Sequence, residues 1–409
     1  MAKRRHLDVA MPDEMDAIAA HNAPLKEQIA RLRAKQKDEK NRKQSKQFGG
    51  AIKKLETQLR EAPRIRALWD RGRPSPTYIY RRGVETQAGR LVGPAVLSVL
   101  TDGKTPFVVE PPPHTSPKTG RRLALAKWLM QPGHPLTARV FVNRIWNQHF
   151  GTGIVESLDN FGKLGTPPSH PDLLDWLAVE FVESGWSVKE LHRLIMTSTA
   201  YFQSSAVTEQ HERLDPQNRL LSRMPMRRLR AEEVRDSILF VAGRLSEQPF
   251  GEADQVDVRK DGLVTSKETR GGWRRSIYVR QRRKEMPTIL ETFDLPQMNP
   301  NCTQRMDSTV VSQPLHLLNN KMIYDLSRSF AERIEREAGS WVEMRVARAY
   351  LLAFGRPASS DELDTGVLAV DQLTRHWRQQ GIEDSHTAHH ALADWCHVLL
   401  NSAAFLYVD

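Results

Sequence analysis

Cysteine and long apolar runs are scarce in this chain of 409 residues. Cys302 and Cys396 are its two cysteines, too few for a disulfide framework and without the clustered spacing of a structural zinc site. No apolar run approaches the ~20 residues that a bilayer span requires. Hydrophobic residues make up 39% and charged residues 27% of the chain, a balance typical of globular proteins. The sequence therefore excludes a disulfide-stapled miniprotein and predicts no membrane span.

An export signal is absent from the sequence as written. A basic start at Lys3–His6 is followed by acidic residues from Asp8 onward, without an apolar core region or a small-residue cleavage site. We therefore expect a cytoplasmic location if Met1 is the true start. A periplasmic or cell-envelope location is expected instead if the chain is part of a longer exported protein.

Familiar cofactor signatures are also missing. Gly151-x-Gly153 lacks the third glycine of a dinucleotide loop, and there is no Walker loop, Gly-x-Ser-x-Gly or His-Glu-x-x-His. The run Ala393–His397 resembles a c-type haem motif, but alanine replaces the second thiol that covalent attachment needs. We therefore predict no cofactor in this chain and no c-type haem held by it alone. Cys396 is interpreted as a core residue of a helix.

The histidine spacing favours no metal site either. His386, His389 and His390 form the tightest group and could share a helix face. No acidic or cysteine residue lies beside them with the spacing of metal ligands. We therefore interpret this group as surface histidines and predict no metal ion.

Positive charge is concentrated in two segments of a chain with net charge +11. Residues 1–66 carry 17 Lys/Arg against 9 Asp/Glu, and residues 219–288 carry 17 against 10. By contrast, residues 289–409 carry 10 against 16. The basic segments could attract nucleic acid, an anionic polysaccharide, a membrane surface or an acidic protein. Alternatively, the basic residues could form ion pairs with the acidic C-terminal stretch of the same chain.

Apolar spacing predicts a mainly α fold with a few short strands. Two clusters with three-to-four spacing predict an antiparallel helix pair near the N-terminus, namely Leu25, Ile29 and Leu32, then Phe48, Ile52, Leu55 and Leu59. We divide the chain into 1–70, a basic amphipathic segment able to form a coiled-coil hairpin; 71–120, a Pro-rich extended connector; 121–245, the first part of a helical core domain; 246–300, a loop and short-strand insertion; and 301–409, the second part of the core.

Local signals locate individual elements. Pro171 is suited to the first turn of a helix, and Ser187 with Glu190 forms a capping-box pattern before another. The alternating residues 275–280 predict a short strand or edge segment. Further helices are predicted at about 312–337, 343–354, 361–380 and 387–404.

Two segments combine polar and aromatic groups densely enough to suggest ligand binding. In the first, Arg139, Asn143 and Trp146 share one stripe of a predicted helix. In the second, Arg305 precedes Gln313 and Asn319. Arginine and amide groups beside an aromatic plane could hold a carboxylate, a sulfate or a sugar ring. In an alternative interpretation, Trp146 is a core residue, and Arg139 and Asn143 are buried hydrogen-bonding partners of loop carbonyls.

Several blocks in a fixed order resemble one known family. They include His134–Gly151, Asp159–Gly162 with Pro168–Pro171, Leu191–Ser198, Arg227–Leu229 with Glu232–Asp236, Phe293–Asp294, Ser308–Thr309, Leu317–Asn319, Gly355–Pro357 and Phe405–Asp409. Over roughly 75–409 the chain resembles the planctomycete-type domain of unknown function found C-terminal to planctomycete cytochrome c domains. The resemblance implies an exported cytochrome c module as an upstream or partner domain, and haem is expected only there. It implies no catalytic residues.

Three functions are compatible with these observations. The first is a recognition or scaffold module for a cytochrome c-type redox partner or an anionic polysaccharide. The second is a carbohydrate-active hydrolase or esterase, with His149, His170, Asp294 and Asp307 as acid/base candidates. The third is nucleic-acid binding through the basic N-terminal helices, which rests on charge alone because no recognition module is present. Those helices could also mediate self-association.

Overall fold

The computed structural model describes residues 6–8, 12–38, 42–62, 64–66, 74–110, 119–269, 271–282, 284–297 and 302–408. Over these residues the fold is mainly α, with two-stranded sheets only, so the predicted fold class is confirmed. None of the helices found there combines the length and the apolar character needed to cross a bilayer.

The chain divides into two compact units. One contains Met1–Ser98 and Asp102–Ala126, and the other contains Val99–Thr101 and Lys127–Asp409. The predicted basic segment and nearly all of the predicted connector fall in the first unit. Nearly all of the three remaining predicted segments fall in the second.

The first unit contains a helix pair and two β-ribbons. Ile29 and Ile52 are buried between its helices, as the apolar spacing predicts, and Asn22 Nδ2 donates to the Arg60 carbonyl at 2.7 Å. The predicted connector includes an antiparallel hairpin in which the backbones approach closely, because a Cβ at Gly89 would lie 2.6 Å from the Ile79 carbonyl oxygen. The elements are β1 (His6–Asp8), α1 (Pro12–Asp38), α2 (Arg42–Glu56), β2 (Arg64–Arg66), β3 (Thr77–Tyr80) and β4 (Ala88–Val92).

The second unit contains most of the helices. The sequence boundary between the units falls within α3 (Arg121–Leu129). The following elements are α4 (Thr137–Phe150), α5 (Pro171–Glu183), α6 (Val188–Met196), α7 (Glu209–Leu214), β5 (Arg227–Arg228), α8 (Ala231–Val241), β6 (Leu245–Ser246), β7 (Val256–Val258), β8 (Val264–Ser266), β9 (Trp273–Arg274), α9 (Thr288–Thr292), α10 (Ser312–Asn319), α11 (Lys321–Ala338), α12 (Val342–Phe354), α13 (Ser360–Gln379), α14 (Asp384–Leu400), α15 (Ala403–Leu406) and β10 (Tyr407–Val408).

Two hydrophobic cores hold the second unit together. The smaller core lies between α4, α5 and α6 and includes Val142 and Leu177. The larger core lies among α8 to α14 and includes Ile238 and Phe330. Cys396 is fully buried in it, as predicted, and this burial raises the pKa of its thiol well above the usual value.

Local signals explain where several elements begin. Pro171 occupies the first turn of α5, as predicted. The Ser187 hydroxyl caps α6 by accepting from the Glu190 amide at 3.3 Å, whereas the Glu190 carboxylate binds Arg193 at 3.0 Å instead of completing the capping box. Only the serine half of the predicted capping box is therefore formed.

The short strand or edge segment predicted over 275–280 is only partly formed, as an isolated parallel bridge between Val279 and Asp254. β9 ends at Arg274, and Ser276–Tyr278 forms a 3₁₀ turn. The cause is Asp236 on α8, whose carboxylate accepts from the Ser276 amide at 2.8 Å and from its hydroxyl at 2.7 Å. These bonds hold the segment against α8 in a turn.

The last strand positions the start of α8. β10 pairs antiparallel with β5, and Tyr407 lies opposite Arg228. Residues from the far end of the chain therefore fix the backbone of β5 directly before α8 begins. Arginine side chains project from this short stretch into the region described next.

Candidate functional site

Four arginines, here called the arginine cluster, collect around the start of α8. They are Arg227 and Arg228 on β5, Arg230 just before α8, and Arg305 in the loop before α10. Three of them pair with carboxylates: Arg227 with Glu233 at 3.2 Å, Arg228 with Asp294 at 2.8 Å, and Arg305 with Glu232 at 2.7 Å.

The Arg228–Asp294 pair is the most deeply buried of these contacts. The Arg228 side chain is 5% exposed, and Asp294 also accepts from the Ser308 amide at 2.8 Å and the Ser308 hydroxyl at 2.7 Å. Burial opposes ionisation of Asp294, but the bonds from Ser308 and Arg228 outweigh it and lower its pKa. Asp307 lies 3.8 Å from Arg228 and its side chain is 53% exposed. Both predicted carboxylates therefore face the same guanidinium.

Arg305 and Glu232 form a bidentate pair. Their two nitrogen–oxygen distances are 2.7 and 2.9 Å. The hydrogen bond to Glu232 raises the pKa of Arg305. Burial opposes ionisation of Glu232, yet the bond from Arg305 prevails and lowers the pKa of the carboxyl. The charge of the predicted ligand-binding residue Arg305 is thus already balanced.

Arg230 differs from its three neighbours. Its half-buried guanidinium donates to the neutral amide oxygen of Gln148, and within the described chain no carboxylate lies within 4.0 Å of it. Burial lowers the pKa of Arg230, Glu233 opposes this, and the charges of Arg305 and Arg227 add to the lowering. Arg230 is therefore a cation whose charge is not neutralised by direct pairing.

A histidine pair borders the arginine cluster. His149 Nε2 lies 2.8 Å from His192 Nδ1, and the Tyr201 ring meets the His149 ring edge-on at 5.5 Å. Burial, then the neighbouring His192 and Arg227, lower the pKa of His149 to about 4. His149 is therefore neutral near pH 7 and can accept a proton.

The first predicted ligand-binding set lies along α4. Arg139 donates to Asp175 at 2.6 Å, and the amide of Asn143 binds the backbone of Val155. Trp146 is 5% exposed and stacks on Phe150 at 4.3 Å. All three side chains thus contribute to holding α4 against its surroundings.

The other predicted residues have varied surroundings. His170 Nδ1 lies 3.0 Å from the Ser169 hydroxyl. Gln313 is buried and donates to the carbonyls of Thr292 and Ser308 at 3.1 and 3.0 Å. Asn319 is exposed at the end of α10.

Sequence reasoning found part of this site. His149, Asp294, Asp307 and Arg305 do lie in or beside the arginine cluster. The sequence analysis did not identify the other residues of the site, which are Arg227, Arg228, Arg230, Glu232, Glu233 and His192. The sequence feature that could have indicated these residues is the group of three arginines within 227–230, directly before a helix with two glutamates in its first turn.

Some charge in the basic segment 219–288 has a structural role. Arg274 and Asp254 form a buried pair at 2.6 Å, each side chain being 6% exposed. Arg235 is also buried and binds the Arg274 carbonyl and the Ser266 hydroxyl. These arginines stabilise the insertion between α8 and α9. The net charge of the segment therefore overstates the positive charge that is accessible to a partner.

The largest cavity among those described is lined partly by Leu229, which lies between Arg228 and Arg230 in the chain. It measures about 760 Å³ and is mostly apolar, with Phe240, Phe354 and Tyr407 in its lining. None of the predicted site residues lines it.

Comparisons with known proteins identify a family without an activity. The family model PSD1, described as a protein of unknown function (DUF1553), matches residues 121–369. Since this match spans more than half of the chain, the chain belongs to that family. Neither a curated protein nor a solved structure matches the chain significantly.

Proposed function

We propose that this member of the DUF1553 family is a recognition module that binds an anionic group of a polysaccharide, a sulfate or a carboxylate, at Arg230. The observation that carries the proposal is the pairing of this half-buried guanidinium with the neutral Gln148 amide instead of a carboxylate. A guanidinium donates two parallel N–H groups that match the oxygens of a carboxylate or sulfate.

The surroundings of Arg230 favour an anion over a neutral ligand. The charges of Arg305 and Arg227 repel that of Arg230 and lower its pKa, and the charge of Glu233 offsets part of this repulsion. An incoming anion would relieve that repulsion. Partial burial would also strengthen the attraction, because charges interact more strongly where water is excluded.

The proposal is tested by binding of heparin oligosaccharides to the full chain, measured by isothermal titration calorimetry. We expect Arg230→Gln to weaken binding about tenfold, since it removes one charge-assisted contact. The matched control is Arg259→Gln, which removes an exposed arginine of the same basic segment that pairs with Asp261 at 2.6 Å. This control should bind within about twofold of the wild type, because an exposed pair contributes little.

Competition separates the candidate partner classes. Added salt weakens every electrostatic complex and so does not distinguish them. Duplex DNA and a cytochrome c-type protein are therefore tested as competitors for bound heparin. Equal loss in the two arginine variants, absence of heparin binding, or tighter binding of either competitor would overturn the proposal.

A hydrolase is the second candidate, and the state of His149 is the observation that favours it. An imidazole that stays neutral beside an anion-binding arginine could act as a general base on an ester or glycoside. Turnover of nitrophenyl acetate and nitrophenyl glycosides tests this idea. It requires an acid limb near the His149 pKa of about 4 and loss of turnover in His149→Gln. Absence of turnover in the wild type would eliminate it.

A further inference from the structure

The large apolar cavity of the second unit has no role in the proposed anion site. Its volume is about 760 Å³, which lies within the ~300–1,000 Å³ of pockets that bind small molecules. Its lining comes from five stretches of the chain, namely Met226 with Leu229, α8, the end of α12 with Arg356, α15 and β10. A cavity of this size between several elements suits a small molecule.

Contacts to other parts of the second unit hold the walls of this cavity in place. The Arg333 guanidinium donates to the carbonyls of Phe240 and Val241 at 2.8 and 3.1 Å, which ties the end of α8 to α11. β10 pairs with β5, and Phe405 of α15 is buried in the larger core. The cavity is therefore formed before a ligand arrives, and binding does not have to order its walls.

Large apolar side chains at this cavity remain exposed to solvent. Met226 is 65% exposed and Phe240 is 57% exposed. Phe354 and Tyr407 add two further aromatic rings to the lining, and both are only partly buried. An exposed apolar patch marks a binding site more often than chance, and aromatic rings stack favourably on other rings. The lining therefore favours an aromatic ligand.

The cavity offers no unbalanced charge to a ligand. Arg356 is the only charged residue among the described residues that line it. Both terminal nitrogens of its guanidinium bind the Glu362 carboxylate, at 2.8 and 2.7 Å. A charged group that entered this cavity would lose its water without gaining an unpaired counter-charge. The lining therefore favours an uncharged ligand.

One hydroxyl group is available for a hydrogen bond inside the cavity. Ser237 of α8 lines the cavity and is half-buried, and its hydroxyl makes no hydrogen bond to a described residue. The Tyr407 hydroxyl, by contrast, lies 3.4 Å from Thr309 Oγ1. Because a hydroxyl both donates and accepts, Ser237 suits a ligand that carries one amine, hydroxyl or carbonyl group.

We propose that this cavity binds an uncharged aromatic molecule that carries a hydrogen-bonding group. The rings of Phe240, Phe354 and Tyr407 contact the apolar body of the ligand, and Ser237 binds its polar group. The main source of binding energy is the apolar area of ligand and lining that is removed from water. This inference does not depend on the anion site at Arg230.

The test is the binding of N-phenylnaphthylamine to the full chain, followed by the fluorescence of this probe. The probe is uncharged and aromatic, and it carries one N–H group. Naphthol and naphthalenesulfonate then compete for the bound probe, since they share a ring system and differ in charge. We expect naphthol to displace the probe and naphthalenesulfonate to require about tenfold higher concentration, because burial of its charge is not compensated.

Two variants locate the binding of the probe. Ala404 is exposed and lines the cavity, so Ala404→Phe adds a ring there and should weaken binding about tenfold. Ser237→Ala removes the hydroxyl and should weaken binding about fivefold, the effect of one hydrogen bond. The matched control is Ala347→Phe, because Ala347 is exposed on α12 and does not line the cavity.

The outcomes keep this inference separate from the anion site. Arg230→Gln should bind the probe as the wild type does, whether or not it loses heparin. Absence of probe binding to the wild type would overturn the proposal, as would unchanged binding in Ala404→Phe or an equal loss in Ala347→Phe. Equal displacement by naphthol and naphthalenesulfonate would exclude selection of an uncharged ligand. A dimer in sedimentation velocity that Ala404→Phe abolishes would instead assign the cavity to a second copy of the chain.

Discussion

Asn143 hydrogen-bonds both backbone groups of Val155, twelve residues further along the chain. Its Nδ2 donates to the Val155 carbonyl at 2.9 Å, and its Oδ1 accepts from the Val155 amide at 2.8 Å. The side chain is fully buried. One amide therefore supplies the partners that a neighbouring strand would supply in a sheet, and it fixes the loop after α4.

Replacement of this amide should destabilise the protein strongly. Asn143→Leu would leave two buried backbone groups unpaired, each costing ~1–3 kcal/mol, so we expect a loss of about 2–6 kcal/mol in the free energy of unfolding. Asn147→Ala is the control, because it removes one exposed bond, to the Gly151 carbonyl at 2.8 Å. Urea unfolding followed by circular dichroism measures both losses. Similar losses for the two variants would contradict the assigned role of Asn143.

The two carboxylates that face Arg228 should differ greatly in importance. Asp294→Ala would leave an arginine that is 5% exposed without its close partner, which costs about 3–5 kcal/mol for a buried ion pair. Asp307→Ala should cost less than ~1 kcal/mol, because Asp307 is largely exposed and 3.8 Å away. Equal destabilisation in thermal or urea unfolding would refute this ranking.

The pH dependence of the Asp294 effect follows from the direction of its pKa shift. The native carboxyl has a pKa below its ordinary value of 3.8, so the unfolded chain binds its proton first as the pH falls. The stabilisation is therefore fully present above that value and is lost as the pH falls through the lower native pKa. Asp294→Asn, which keeps the shape without the charge, should lack this acid-dependent loss.

Sequence patterns predicted the helices well where burial follows a simple period. Ile29 and Ile52 repeat at helical spacing and are buried in α1 and α2. Pro171 and Ser187 signal helix starts through local chemistry, which does not depend on the rest of the chain. The segment 275–280 shows the limit of such patterns, because Asp236 on α8, forty residues away in the chain, holds Ser276 in a turn.

The candidate site was harder to predict for the same reason. Arg228 gains its partners from Asp294 and Ser308, which lie 66 and 80 residues further along the chain. Arg230 is distinguished only by lacking such a carboxylate, and a sequence does not show which arginines pair. The charge of segment 219–288 therefore indicated a basic region, but not that Arg230 donates to the amide oxygen of Gln148 instead of a carboxylate.

The histidine pair should make stability depend on pH in mildly acidic solution. The pKa of His149 falls from 6.5 to about 4 in the native protein, because burial and then His192 and Arg227 disfavour the imidazolium. Between these two values the unfolded chain binds a proton at His149 that the native protein does not. The free energy of unfolding should consequently fall as the pH drops from 6.5 towards about 4.

The variant His149→Gln isolates this contribution, because glutamine cannot take up the proton. We expect urea unfolding to show a smaller difference in stability between about pH 7 and pH 5 in His149→Gln than in the wild type, whatever its absolute stability. His386→Gln is the matched control, since it replaces an exposed histidine of α14 that lies outside the histidine pair. If the stability difference between about pH 7 and pH 5 were as large in His149→Gln as in the wild type, the pKa of His149 would not be lowered in the native protein. That result would contradict the neutral state assigned to this imidazole.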